Sequence, residues 1–308
     1  MFQLFKQLKA NDLITDTFNF FREQGKNYYA TYLKAFGWLL LLLVLFGYLI
    51  GSAFTETLML GPLAPQSSKM IENYFNNNFG YFLGIGVISF VVLLLMMMAN
   101  YAYPVFYTQI LAETGQQAQP RQILSMLKRN IGRILLYALL SLVVMFPIFA
   151  IISMVALLLA ITIICIPVTV CIFVFLYSWA ALTFYEYLTN RSGFFTAMGR
   201  GWTLFFANPW GHMGSTVVML IIMYTIQGLI GMISSVFGLG FSLVDGTDSL
   251  DPAAVWIMLV FFILSTVLGF ILGHLVMINQ GLIYYSGREM HENHGQKTEI
   301  DLIGRDFE

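Results

Sequence analysis

The chain has 308 residues, of which 58% are hydrophobic and 10% charged, against roughly 25% charged in an ordinary soluble domain. With a mean hydropathy of +0.77, it has too little polar surface for a water-soluble globule of this size, which leaves an integral membrane protein. A net charge of -1 gives no basis for nucleic-acid binding.

In chain order, Met1 to Lys34 is mixed polar and aromatic, unlike a cleavable signal, so the first span is expected to act as its own insertion signal. Asn11 or Asp12 can cap a helix with Leu13, Ile14, Phe18 and Phe21 on one side. Gly25 and Lys26-Asn27 are expected to bend it before span one, 33–52, with Tyr28, Tyr29, Tyr32 and Trp38 at the headgroup boundary. A polar loop follows over 55–78, marked by Gly61-Pro62, Pro65 and three asparagines. Span two is 79–103, with Pro104 kinking its far end before Glu113-Thr114-Gly115.

Pro120 opens a second amphipathic segment with Ile123, Leu124, Leu127, Ile131 and Ile134 on one face and Arg121, Lys128, Arg129 and Arg133 off it. Residues 134–185 contain no Asp, Glu, Lys, Arg, His, Asn or Gln. As one helix they would run roughly 75 Å, more than twice a bilayer's ~30 Å hydrocarbon core, so they must fold back. The break falls at 160–167, where Pro167 removes a backbone donor and restricts Ile166, giving spans three and four as a tight hairpin. Ser192 can cap a third segment, with Phe194, Phe195, Met198, Trp202, Phe205 and Phe206 at helical spacing, ending at Asn208-Pro209. Span five is 214–235, the loop 245–251 is acidic, span six is 253–278, and 286–308 is a polar tail.

The expected fold is therefore all-α and polytopic: six transmembrane helices arranged as three repeats of amphipathic helix, span, span, in one membrane domain covering 1–308. The exits share a pattern, since Tyr107 precedes Gly115 as Tyr185 precedes Gly193, while Tyr284-Tyr285 precedes Gly295 at longer range. Fourteen of the 15 Lys and Arg residues fall on one side of this topology and only Lys69 on the other. That bias places both termini, the 1–34 segment, the 286–308 tail and all three amphipathic helices in the cytoplasm.

An ionisable group inside a membrane is a functional suspect, and the chain offers few. Glu186 at the end of span four is expected to pair with Arg133 or Arg200, and His274 to be a neutral imidazole bonded to a neighbouring helix. Asn100, Gln227, Asn279 and Gln280 can bridge helices. The candidate polar or ion-pair residues are thus Asn100, Arg133, Glu186, Arg200 and His274. Small residues at Ser265, Gly269 and Gly273, and at Gly80 and Gly84, favour close helix packing. Cys165 and Cys171 read as small hydrophobes. The order His291-Glu292-Asn293-His294 lacks the metalloprotease spacing, and Asp245, Asp248 and Asp251 do not match a calcium loop. No catalytic residue, metal or cofactor is expected.

The opening Asp12-Leu13-Ile14-Thr15-Asp16-Thr17-Phe18-Asn19-Phe20-Phe21-Arg22 with Tyr28 downstream, and the closing Ile283-Tyr284-Tyr285-Ser286 and Glu299-Ile300-Asp301-Leu302-Ile303-Gly304, carry a resemblance over the whole chain. It resembles a bacterial six-span family that includes the membrane domain preceding some glycerophosphoryl diester phosphodiesterases. The resemblance implies a multi-pass module of the cytoplasmic (inner) membrane linked to lipid or envelope metabolism. The His-Arg-Gly and Glu-x-Asp elements of the soluble catalytic domain are absent. The expected function is a non-enzymatic scaffold whose partners are membrane lipids and another membrane protein or a second copy of itself. The alternative is a transporter of an amphipathic or lipid-like solute, with Asn100, Glu186, Arg200 and His274 sharing one cavity.

Overall fold

The computed structural model describes residues 3–59, 76–245 and 252–292. Most of the expected 55–78 loop including Lys69, the acidic loop after Asp245, and the tail beyond Glu292 including His294, Lys297 and Arg305 lie outside the described residues. Among the described residues every regular element is helical: α1 Ala10–Met59, α2 Phe79–Thr114, α3 Pro120–Leu140, α4 Phe146–Ala160, α5 Ile166–Thr189, α6 Phe194–Phe206, α7 Pro209–Asp245 and α8 Pro252–Glu292. Among the described residues, six stretches are long and apolar enough to cross a membrane. The protein is therefore all-α with the makings of a polytopic membrane protein.

Several boundaries differ from the sequence reading. α1 runs through Gly25 without a break, because Asn27, which could have competed for its own backbone, instead donates to Tyr107 Oη at 3.1 Å. Asp12 acts from inside the first turn, accepting the Lys9 amide at 3.2 Å. The buried stripe of α1 is Leu13, Thr17 and Phe20 and continues to Tyr28, while Phe18 is exposed. Thr17 can belong to it because its hydroxyl donates to Leu13 O and accepts from Asn279. Tyr28 and Tyr32 are buried among other rings, so they are core residues and not boundary anchors.

The second amphipathic segment also flows into its span. Pro120 is the first residue of α3, and a π turn, Ser141–Met145, joins α3 to α4. This irregularity sits where Pro147 cannot donate to residue 143. The hairpin breaks where expected: α4 ends at Ala160, a 3-10 turn covers Ile163–Cys165, and Pro167 lies in the first turn of α5. Thr169 Oγ1 donates to Ala156 O at 2.9 Å across the hairpin.

Only α6 is separate from the span that follows it. Ser192 does not cap it, because its hydroxyl is drawn to Glu186 O at the end of α5, and Gly193 takes the N-cap position. Asn208 then starts α7, accepting the Gly211 amide at 3.2 Å. At the other end of the chain, α8 continues to Glu292, so the first residues of the expected tail are helical, with Ser286 and Glu289 buried.

Within the chain, packing groups the residues into two compact units. The first comprises Met1–Ala35, Tyr101–Ile221 and His274–Glu308. Its core is aromatic, built around Tyr28, Tyr103, Tyr107, Tyr185, Tyr284 and Tyr285. The second comprises Phe36–Asn100 and Ile222–Gly273. In it α1 and α8 approach closely enough for Gly51 to meet Leu259, and Tyr48 stacks on Trp256 at 5.5 Å. Gly269 faces the Gln227 amide, as a packing role requires, whereas Gly80 and Gly84 have nothing within 4 Å.

Gly201 gives a direct test of how α6 is seated. A Cβ there would lie 2.7 Å from Thr183 Oγ1 and 2.9 Å from the Thr183 backbone nitrogen, which cannot give way. Gly201→Ala is expected to lower the thermal midpoint of the detergent-solubilised protein. Gly199→Ala, two residues away in open space, is expected to leave the midpoint unchanged or raise it slightly, since alanine favours the helix by up to about 1 kcal/mol over glycine. Equal behaviour of the two variants would contradict this seating.

Candidate functional site

Glu186 lies near the end of α5 with its carboxylate buried, and two other helices and the residue that caps α5 supply its partners. Tyr284 of α8 donates its hydroxyl at 2.9 Å, the Asn190 amide spans both oxygens at 3.0 Å each, and Arg200 Nε of α6 stands 3.9 Å away. Arg200 makes its shorter contact, 2.7 Å, to Glu292, which also takes Arg288 at 2.8 Å. The cluster pairs two carboxylates with two guanidiniums, and its one buried charge is held by hydrogen-bond donors. Of the two partners offered by the sequence, Arg200 is the one that reaches Glu186.

Arg133 does different work. One of its Nη atoms donates to Tyr187 O and Ser192 O, both at 2.9 Å, and the guanidinium lies 4.4 Å from the Tyr187 ring centroid. Those carbonyls belong to the end of α5 and the turn beyond it, where helical partners run out and the helix dipole favours a cation. The turn itself needs Arg191 in the left-handed region, φ 51°.

Among the described residues His274 bonds no neighbouring helix: it is fully buried, neither ring nitrogen has a hydrogen-bond partner there, and it is wedged among tyrosines. Tyr32 meets it edge-on at 4.4 Å between centroids, Tyr28 at 5.4 Å, and Tyr103 lies tilted at 5.6 Å. Leaving a buried polar group unpaired costs roughly 1–3 kcal/mol, and edge-to-face ring contacts at ~0.5–1.5 kcal/mol each offset it. His274 precedes Tyr284 by ten residues on α8, about 15 Å of helical rise, so it does not join the Glu186 cluster. Asn100 belongs to the second unit, where its amide lies 3.8 Å from the Cβ position of Gly273.

Asn279 and Gln280 bridge helices as expected, but the hydroxyl partners that complete their polar seam escaped the sequence reading. Gln280 Nε2 donates to Thr216 Oγ1 at 2.8 Å, Ser178 lies 3.4 Å from the same hydroxyl, and Asn279 joins Ser215 to Thr17. All six residues are buried, and they tie α1, α5, α7 and α8 together. His212, one turn before Thr216 on α7, places Nδ1 2.9 Å from Phe205 O, so that nitrogen carries the proton and caps the end of α6. The spacing of His212, Ser215 and Thr216 marks one helical face, but Pro209 and Gly214 disguised it as a loop running into a span.

Chemically the arrangement fastens helices. Neither His212 nor His274 bonds a carboxylate or a hydroxyl. Among the described residues no three His, Cys, Asp or Glu side chains stand close enough to hold a metal ion.

Glu186→Ala removes the acceptor for Tyr284 and Asn190 and is expected to destabilise the protein by on the order of 2–3 kcal/mol. Arg200→Gln removes pairs on a half-exposed side chain and is expected to cost less than about 1 kcal/mol. Thermal denaturation of the two variants in one detergent compares them directly, and a larger loss for Arg200→Gln would overturn the assignment. No protein-family model, curated protein or solved structure matches this chain.

Proposed function

We propose that this is a non-catalytic multi-pass protein of the bacterial cytoplasmic membrane that binds lipid, or supports a partner membrane protein, through a basic cytoplasmic rim. The supporting observation is how the charges are divided. The buried Glu186 and half-buried Arg133 are committed to neighbouring helices, whereas Arg22, Lys26 and Lys34 on α1 and Arg121, Lys128 and Arg129 on α3 are exposed. Cations held near an anionic leaflet contribute about 1 kcal/mol each, so six make a substantial, salt-sensitive attraction. The positive-inside bias supports cytoplasmic placement of that rim and of both termini. The family resemblance supports the link to lipid or envelope metabolism. Three buried aromatic pairs, Phe106-Tyr107, Phe184-Tyr185 and Tyr284-Tyr285, support an origin by triplication. The transporter reading requires four polar residues in one cavity, and His274 stands apart from Glu186 and Arg200.

The protein reconstituted in nanodiscs of mixed neutral and anionic phospholipid is expected to retain the anionic species on mass spectrometry, and Lys128→Glu with Arg129→Glu is expected to weaken that retention. Retained lipid matching the bulk mixture, with no co-purifying protein, would refute the reading. Orientation has its own test. A cysteine at Lys128, in a chain whose Cys165 and Cys171 are replaced by alanine, is expected to react with an impermeant maleimide only after the cells are permeabilised. Labelling in intact cells would invert the topology.

A further inference from the structure

α6 has three faces where an ordinary amphipathic helix has two. Ala197, Gly201 and Leu204 form a buried face. Gly201 rests against the Thr183 backbone of α5, and Leu204 lies against Gly287 of α8. Thr196, Arg200 and Thr203 form an exposed polar face. Between the two, at ~100° per residue, Phe195, Trp202 and Phe206 fall within an arc of about 40°, and they are 65%, 46% and 48% exposed. Such a row has no place in water.

The helix is held so that this row stays outward. Trp179 Nε1 donates to Met198 O at 3.0 Å, His212 closes the far end through Phe205 O, and Arg200 bonds Glu292. The row is also continuous with apolar exterior on both sides. Phe175 of α5 touches Trp202 at 5.3 Å and Phe206 at 5.8 Å, and exposed Phe173 lies on the same apolar helix. Trp210, 80% exposed, stands in the first turn of α7, which is long and apolar enough to span.

We infer that α6 is an in-plane interfacial helix whose Phe195, Trp202 and Phe206 face, continued by Trp210, is seated in the headgroup and upper acyl region of the lipid leaflet. The inference rests on the membrane placement in the preceding reading but not on its preference for anionic lipid. The occupant is lipid because the row joins the exposed apolar exterior of α5 and α7, because two of its residues are tryptophans, which suit that depth, and because the polar face with Arg200 turns away from it. The amphipathic parts of α1 and α3, which continue unbroken into their spans, have no such freedom to lie in the plane.

The test uses full-length protein reconstituted in phosphatidylcholine bilayers containing lipids brominated at shallow or deep acyl positions. The tryptophan emission of wild type is compared with that of Trp202→Phe and Trp210→Phe. Each variant is expected to lose a component that shallow bromolipid quenches more than deep bromolipid, and that aqueous acrylamide barely reaches. Phe195→Trp is expected to add such a component, a readout that does not depend on tolerating loss of Trp202. A Trp202 component quenched by acrylamide and untouched by bromolipid places the face in water and overturns the inference. A component that neither quencher reaches places it under a protein partner or a second copy, and overturns it equally. Shallow quenching without anionic-lipid retention keeps this inference and removes the preceding one, and retention without quenching does the reverse.

Discussion

The first unit depends on satisfying helix ends where water is scarce. Each helix finishes with carbonyls that have no partner inside it, and an unpaired buried carbonyl is costly. At the end of α5 the Arg133 guanidinium and the Ser192 hydroxyl take up these carbonyls, and at the end of α6 the His212 imidazole does so. Because the donors come from α3, from the turn itself and from α7, closing each end also fixes the neighbouring helix. Capping and tertiary assembly are one process here.

The same economy explains where polar side chains sit. Hydrophobic burial gives helices in lipid little reason to associate, so packing and interhelical hydrogen bonds must do it. The seam of Thr17, Ser178, Ser215, Thr216, Asn279 and Gln280 and the Glu186 cluster supply those bonds across five helices. Small residues supply the packing, at Gly201 against α5 and Gly281 against Tyr185. His274 is the exception. It is buried with unpaired nitrogens and held by ring contacts alone, so its place depends on the shape of the tyrosine cluster.

Function follows from what remains once the interior is accounted for. The polar groups with fixed partners hold helices together, and among the outward-facing described residues the cations on α1 and α3 and the aromatic row on α6 stand out from the apolar exterior. Both features suit a membrane surface better than a small polar substrate, and they make a lipid-associated scaffold the most economical reading of the chain.

The sequence by itself determined the number of spans, the place of the hairpin break and the charge asymmetry. Hydropathy, proline chemistry and the distribution of Lys and Arg are local or additive properties, readable without knowing what touches what. It also narrowed the partner of Glu186 to Arg133 or Arg200, since a lone carboxylate in an apolar run has few partners to choose from, and the fold chose Arg200. Only the tertiary structure decided that α1 passes straight through Gly25, that its buried stripe follows Thr17 and Phe20 and not Phe18, that Arg133 caps a helix, and that His212 belongs to the framework. The first three turn on a partner distant in the chain, Tyr107 for Asn27, Asn279 for Thr17 and Ser192 for Arg133, and the fourth on the Phe205 carbonyl across the turn between α6 and α7. A side chain's cost of burial is set by the group it meets, and that group is known only once the chain has folded.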